Sequence, residues 1–241
     1  MRHTTLTAAV IAALLLLAAG PGVRSGLWPF RTGFDLLRWG AYIGIAAAVA
    51  ALIQLLIPRW RAPRAWPLAG AAVLGVLAAA IPWFWAQRAG QLPPIHDITT
   101  DTNDPPAFEA VLPLRAEAPN PATYDGPEIA AAQRQAYPDI RPLALPATTP
   151  YAAFARALEA ARASRWEIVA ADSAAGRIEA TATTGWFGFK DDVVVRVRPA
   201  GSGSVIDLRS VSRVGKSDVG TNARRIRSYL ERVREASTEA K

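Results

Sequence analysis

The stretch VVVRVRPAGSGSVIDLRSVSRVGKSDVGTNARRI, residues 193–226, contains two strands, the turn between them and the opening of a helix. Val193, Val195 and Val197 alternate with Val194, Arg196 and Arg198; Ile206, Leu208 and Ser210 alternate with Asp207, Arg209 and Val211. A period of two is what a strand needs to put one set of side chains on each face of a sheet. Residues 200–204, AGSGS, are a turn, and so short a connection joins antiparallel neighbours. Beyond the second strand Gly215 permits a sharp bend. Ser217 or Asp218 then opens a helix whose apolar stripe is Val219, Ala223, Ile226, Leu230 and Val233.

Upstream, Tyr151, Phe154, Leu158 and Ala161 recur at three and four residues behind Thr149 as N-cap and Pro150 at the first helical position, which predicts an amphipathic helix to about Ser164. A short strand over 166–171, a turn over 172–176 and a strand over 177–184, with Ile178, Ala180 and Ala182 on one face, complete the pattern. Helix, four strands and helix, joined by turns, make an α+β fold: a two-layer domain core over 150–241 with a mainly antiparallel sheet and two packing helices. A helix-grip variant, in which the last helix and a curved sheet enclose a ligand, is the alternative architecture.

Residues 91–149 form a proline-rich extended segment, and 12 of the 19 prolines lie between 92 and 150. Proline removes backbone donors and fixes φ, so turns and extended chain are expected, with one short helix over 127–137. Phe108, Val111, Leu112, Tyr124 and Ile140 make the segment too apolar for a solvated linker, and it should lie against the domain. His96 with Asp97, Asp101 and Asp104 offers hard-metal ligand types, but the spacing lacks the glycine and glutamate of the twelve-residue calcium loop. A polar extended strand with turn-forming Asp and Asn is the simpler reading, and no metal or cofactor is expected.

Residues 1–90 are the membrane region, with apolar stretches at about 4–20, 36–57 and 66–86. From Trp39 to Ile57 the second has Gln54 as its only strongly polar side chain, with Arg38 and Arg59 at its two ends, and the third carries no charge; both reach the roughly 20 residues that cross a bilayer. The first is short enough to be either a signal peptide or a membrane helix. Net charge sharpens this division. Of the +7 excess, residues 1–90 hold eight Arg against Asp35, whereas residues 91–241 hold 19 basic and 19 acidic side chains. A neutral soluble part argues against a nucleic-acid partner. Arg59, Arg61 and Arg64 crowd the loop between the last two stretches without an acid, so this loop is expected in the cytoplasm and the C-terminal domain on the extracytoplasmic side. Six of the eight Trp lie in this half, mostly near helix ends, as interfacial anchors do.

The side chains that invite a chemical reading are Asp191, Asp192, Arg209, Ser210, Ser212, Arg213, Gly215, Ser217, Asp218, Gly220, Asn222 and Arg225. Asp191 and Asp192 close the glycine-aromatic run GWFGFKDDV, residues 185–193; as strand neighbours they face opposite ways and do not suit a shared acid/base site. A helix N-terminus with Arg213 and Lys216 nearby suits an anion, yet Asp218 can occupy that place as a cap, with Arg209 or Arg213 pairing with Asp191 or Asp192. The absence of cysteine removes disulfides, thiolate metal sites and a Cys nucleophile.

Residues 209–222, RSVSRVGKSDVGTN, followed by Arg225 and Ile226 and taken with residues 187–192, FGFKDD, resemble the signature of domain of unknown function family 1499. The resemblance covers about 92–236. It implies an α+β domain coupled to N-terminal membrane helices in bacteria, and no activity. The chain departs from the proline-asparagine-cysteine stretch that many members carry at the start of the domain, so no role of that cysteine applies. The expectation is a multi-pass protein of a bacterial inner membrane, with the bilayer and an envelope protein or small ligand as partners. Its function is expected to be that of a non-catalytic binding or accessory module. The rivals are a hydrolase built on Asp191 or Asp192 with Ser210 or Ser212, and a carrier of a lipid or small apolar ligand.

Overall fold

A computed structural model describes residues 2–57 and 65–238, with side chains over 4–57 and 65–236. The loop carrying Arg59, Trp60, Arg61 and Arg64 lies outside the described residues. The chain divides into two compact units, Met1–Gln91 with Gly185–Gly188, and Leu92–Thr184 with Phe189–Lys241.

In the first unit, α1 (Arg2–Arg24), α2 (Phe30–Leu56) and α3 (Trp66–Gly90) pack against one another. Each is long and apolar enough to cross a membrane. Helices 1 and 3 run about four residues past the expected ends, and α2 begins six residues before the expected start, directly after Pro29. The distribution of size is the reverse of a water-soluble bundle. Ala9, Ala12, Ala47, Ala51, Ala71 and Ala78 are buried, whereas Leu14, Leu17, Ile45, Val49, Val73 and Val76 point outward. Lipid solvates large apolar side chains as well as protein does, so small residues take the interfaces and let backbones approach. Gly44 and Gly75 face each other where α2 and α3 pack: a Cβ on Gly75 would meet the Gly44 carbonyl oxygen at 2.4 Å. Gly40 meets α1 instead, and Gly70 faces open space. Inside the bundle the buried Gln54 amide of α2 donates to Thr5 Oγ1 at 2.7 Å.

The second unit is built on a six-stranded antiparallel sheet. The strands are β1 (Asp97–Thr99), β2 (Leu143–Leu145), β3 (Glu167–Asp172), β4 (Arg177–Thr183), β5 (Lys190–Ala200) and β6 (Gly203–Ser212), in the order β1-β6-β5-β4-β3, with β2 also on β6. The four strands expected are all present. The two short additions share one flank of β6, with Asp97 opposite Val211 and Leu143 opposite Ile206. The β5–β6 turn is tighter than AGSGS suggested. Ala200 pairs with Gly203, leaving only Gly201 and Ser202 in the loop, and Gly201 takes a φ of 55°.

Helices α5 (Pro150–Ala163) and α6 (Thr221–Thr238) cover one face of this sheet, and α4 (Pro127–Ala136) flanks β1. The covered face is the alternating set read from the sequence: Ile178, Ala180, Val193, Val195, Ile206 and Leu208 are buried against Phe154, Ile226 and Val233. Trp166 stacks on Tyr229 at 4.9 Å, and the Tyr229 hydroxyl donates to the Ala157 carbonyl at 2.8 Å. These side chains fill the space that a helix-grip ligand would need.

Opposite, the sheet is covered by coil. Phe108 and Val111, from the proline-rich segment, pack on Val194 and Val211 of β5 and β6. Burying a side chain of that size contributes about 1.5–3 kcal/mol. A coil rich in proline has no strand ladder to satisfy its backbone, so its polar groups must find partners elsewhere. Gln133 of α4 supplies one such partner on the outer side of β1, accepting from Thr99 N at 2.9 Å and donating to Thr99 O at 2.6 Å.

Candidate functional site

The strand alternation sends the twelve residues singled out above to three places. Asp191, Ser210, Ser212, Asn222 and Arg225 meet on the helix-covered face, where β5 and β6 approach the start of α6. Ser210 Oγ donates to Asn222 Oδ1 at 2.8 Å, and Asn222 Nδ2 donates to Ser212 Oγ at 3.1 Å and to the His96 carbonyl at 2.9 Å. Arg225 donates to Asp191 Oδ2 at 2.5 Å and to Ser210 Oγ at 3.0 Å. Ser210 and Asn222 are fully buried. The Ser210 proton is therefore directed at an amide oxygen, a group that cannot serve as a base at neutral pH.

Asp192 and Arg213 lie on the coil-covered face. Arg213 donates from Nε and Nη2 to the two carboxylate oxygens of Asp192 at 2.9 and 2.8 Å, the bidentate fork that guanidinium geometry favours. Thr181 adds a bond of 2.7 Å, and Arg115 another of 2.7 Å. Burial alone would raise the Asp192 carboxyl, but the bonds from Arg213 and Thr181 and the charges of Arg213 and Arg115 outweigh it and hold its pKa below the usual range. Arg209, on the same face, pairs with Asp97 through bonds of 3.0 and 2.7 Å rather than with Asp191 or Asp192. The reason is register: Asp97 lies opposite Val211 on the adjoining strand, beside Arg209 on the same face.

Gly215, Ser217, Asp218 and Gly220 form the bend before α6. Gly215 has a φ of 93°, and Val219 and Gly220 follow at 51° and 71°. Two successive left-handed residues cannot be helical, so α6 begins at Thr221 and not at Ser217 or Asp218. Asp218 is nevertheless its cap, accepting from Gly220 N at 2.8 Å and from Asn222 N at 2.6 Å. The chain's own carboxylate thus holds the place proposed for an anion. Burial raises its pKa, opposed by those two backbone bonds.

Sequence reasoning missed the partners contributed by the coil. Glu179 accepts from the backbone of Glu109 at 2.9 Å and Val111 at 3.0 Å. Arg209 donates to the carbonyls of Pro106 at 3.2 Å and Ala122 at 2.8 Å. Arg115, carried inward by a single 3-10 turn, Pro113–Arg115, donates to Asn120 O at 3.0 Å and Pro121 O at 3.2 Å besides its bond to Asp192. Asn120 returns two bonds of 2.9 Å to the Ser212 and Gly215 carbonyls. The signal was present in Val194 and Val211, apolar residues on the same strand faces as Arg196, Arg198 and Arg209.

His96, Asp97, Asp101 and Asp104 do not gather at one site, although Asp101 and Asp104 share Arg196 and Arg198. Asp97 belongs to Arg209, and Asp101 caps its own turn through Asn103 N and Asp104 N at 3.1 and 3.0 Å. Among the described residues no group of three or more such side chains is placed to hold a metal ion.

The sequence profile of the family described as protein of unknown function (DUF1499) matches residues 97–233, more than half of the chain. The chain belongs to this family. The DUF1499 match begins at the first residue of β1 and ends in α6, so it takes in the coil as well as the sheet and helices. In this DUF1499 domain the run over 209–222 supplies Arg209, Ser210, Ser212 and Asn222 to the interior, the partly buried Arg213 to Asp192 and Asp218 to the cap of α6. No curated protein matches the chain.

Proposed function

We propose that this is a membrane-anchored, non-catalytic module of the bacterial envelope, with its DUF1499 domain on the extracytoplasmic side of the inner membrane, where it binds a protein partner or a small envelope ligand. The observation that carries the reading is the use made of the signature side chains: Asp191, Asp192, Arg209, Ser210, Ser212, Arg213, Asn222 and Arg225 are committed to buried bonds with one another and with the coil. Residues spent on internal struts support a rigid scaffold better than a reaction centre. The arginines at 59, 61 and 64 support the orientation through the retention of basic loops in the cytoplasm. The basic side chains of α6 give little support to nucleic-acid binding, since Arg225 turns inward and Arg227 is held by Asp139 at 2.6 Å.

Affinity isolation of the whole chain from detergent-solubilised membranes tests the binding reading. A stoichiometric protein or small molecule that co-purifies supports it. Isolation of the chain alone, together with ester or phosphoester hydrolysis that disappears in a folded Ser210→Ala variant, would favour the hydrolase. A phosphatase fused after Lys241 should be active; an inactive phosphatase with a fluorescent cytoplasmic reporter at the same position would reverse the orientation.

A further inference from the structure

We propose that the turn Gly185–Gly188 is a lipid-interface anchor, with the exposed half of Trp186 placed among the headgroups of the bilayer that holds α1 and α2. Hairpin tips in water favour Gly, Asn, Asp and Ser, which satisfy turn geometry and solvate well. The β4–β5 tip reads GWFGF over 185–189 and carries three aromatic rings and no charge. The function proposed above makes no use of it.

The turn groups with the helices of the first unit. Its contacts there include the end of α1 and the start of α2. The Trp186 indole occupies room left by Gly20, where a Cβ would overlap the ring. Phe187 packs on Phe34 with ring centroids 5.2 Å apart, and the Arg24 guanidinium donates to the Gly185 carbonyl. A helix of 23 residues is about 35 Å long against a hydrocarbon core of about 30 Å, so its ends reach the headgroup layers. Trp28 and Arg24 beside the turn are the residue types that populate that layer, the indole by its mixed polarity and the arginine by extending its charge to water. Even against Gly20, Trp186 remains 47% exposed. An indole with one face on a membrane helix and the other uncovered fits the headgroup layer better than bulk water.

The inference rests on the reading that α1 to α3 span a bilayer, and the experiment separates the two. The chain has no cysteine, and a Cβ on Gly185 meets nothing within 4 Å, so Gly185→Cys gives a single nitroxide site that leaves Trp186 and Phe187 in place. The full chain is reconstituted in phosphatidylcholine–phosphatidylglycerol vesicles, and collisions with oxygen, which partitions into lipid, are compared with those of an aqueous nickel chelate. Leu52→Cys on the outer side of α2 and Ser202→Cys in the β5–β6 turn provide the lipid and water references. The site at 185 should fall between the two references, favouring oxygen over nickel more than Ser202 and less than Leu52, and replacing Trp186 and Phe187 by Ser in the same background should move it to the behaviour of Ser202. A site that tracks Ser202 from the outset, or is shielded from both reagents, overturns the anchor alone. Nickel access at Leu52 overturns the bilayer reading and the anchor with it.

Discussion

Asp192 is the residue on which the coil-covered face turns. It is completely buried between two guanidinium groups and a threonine, so its partners have nowhere else to place their charge. Breaking one side of a buried ion pair costs about 3–5 kcal/mol because the remaining charge is stranded. Asp192→Asn should lower stability by that amount, and Thr181→Val by about 1–3 kcal/mol for the loss of its bonds to Asp192 and Arg213; urea midpoints of the reconstituted chain measure both. Asp192 and Asp218 have opposite pH signatures. The Asp192 pKa is depressed, so its contribution is fully present above the ordinary value of 3.8 and is lost as pH falls through the lower folded value. Asp218 is raised, so the native state holds its proton beyond the point where the unfolded chain releases it, and stability declines as pH rises from 3.8 through the higher folded value. Asp218→Asn keeps an acceptor for the helix cap and removes the charge. Its stability should lack that decline, whereas Asp218→Ala should lose about 1–2 kcal/mol at every pH because the cap itself is gone.

Among the elements, the coil from Thr100 to Asp125 is the one whose backbone depends most on the side chains of others. Phe108 sits under Arg209 and Arg115, with their guanidinium carbons 5.1 and 5.7 Å from its ring, and on Val194 and Val211. Phe108→Ala removes the apolar contact and both cation–π contacts, and a loss of about 3–5 kcal/mol is expected. Hydrogen exchange should quicken first at the amides of Glu109 and Val111, which the Glu179 carboxylate holds, and protection there equal to wild type would show that the coil does not depend on Phe108. In the membrane unit, Gly75→Leu should separate α2 from α3, since its Cβ alone would press on the Gly44 carbonyl. Cross-linking of cysteines placed along those two helices reads the change, and an unchanged pattern would mean that another pair of residues sets their spacing.

For the whole molecule, the two units are held together by different physics. The three apolar helices satisfy their backbones internally and, spanning a bilayer, would keep their large side chains in lipid, where urea does not reach. The sheet domain depends on burial away from water, which urea weakens. Urea titration in vesicles should therefore abolish the near-ultraviolet signal of the stacked Trp166 and Tyr229 while most helical signal persists, and a single coincident loss of both would show that the units unfold as one.

The sequence by itself determined the three apolar helices, the alternation that assigns each strand residue to a face, the amphipathic α5 and α6, and the opposed directions of Asp191 and Asp192. These are local: each follows from a period of 2 or 3.6 or from a run of apolar side chains. The signature over 209–222 also named its own residues, although it could not say which would meet. Only the tertiary structure decided that Arg209 takes Asp97, that Arg213 and Arg115 share Asp192, that Glu179 receives the amides of Glu109 and Val111, and that β1 and β2 divide one flank of β6. Those partners lie some 20 to 110 residues apart along the chain. No periodicity links them, and each pairing follows from sheet register and from a proline-rich backbone that must find its hydrogen bonds among the side chains of the strands beneath it.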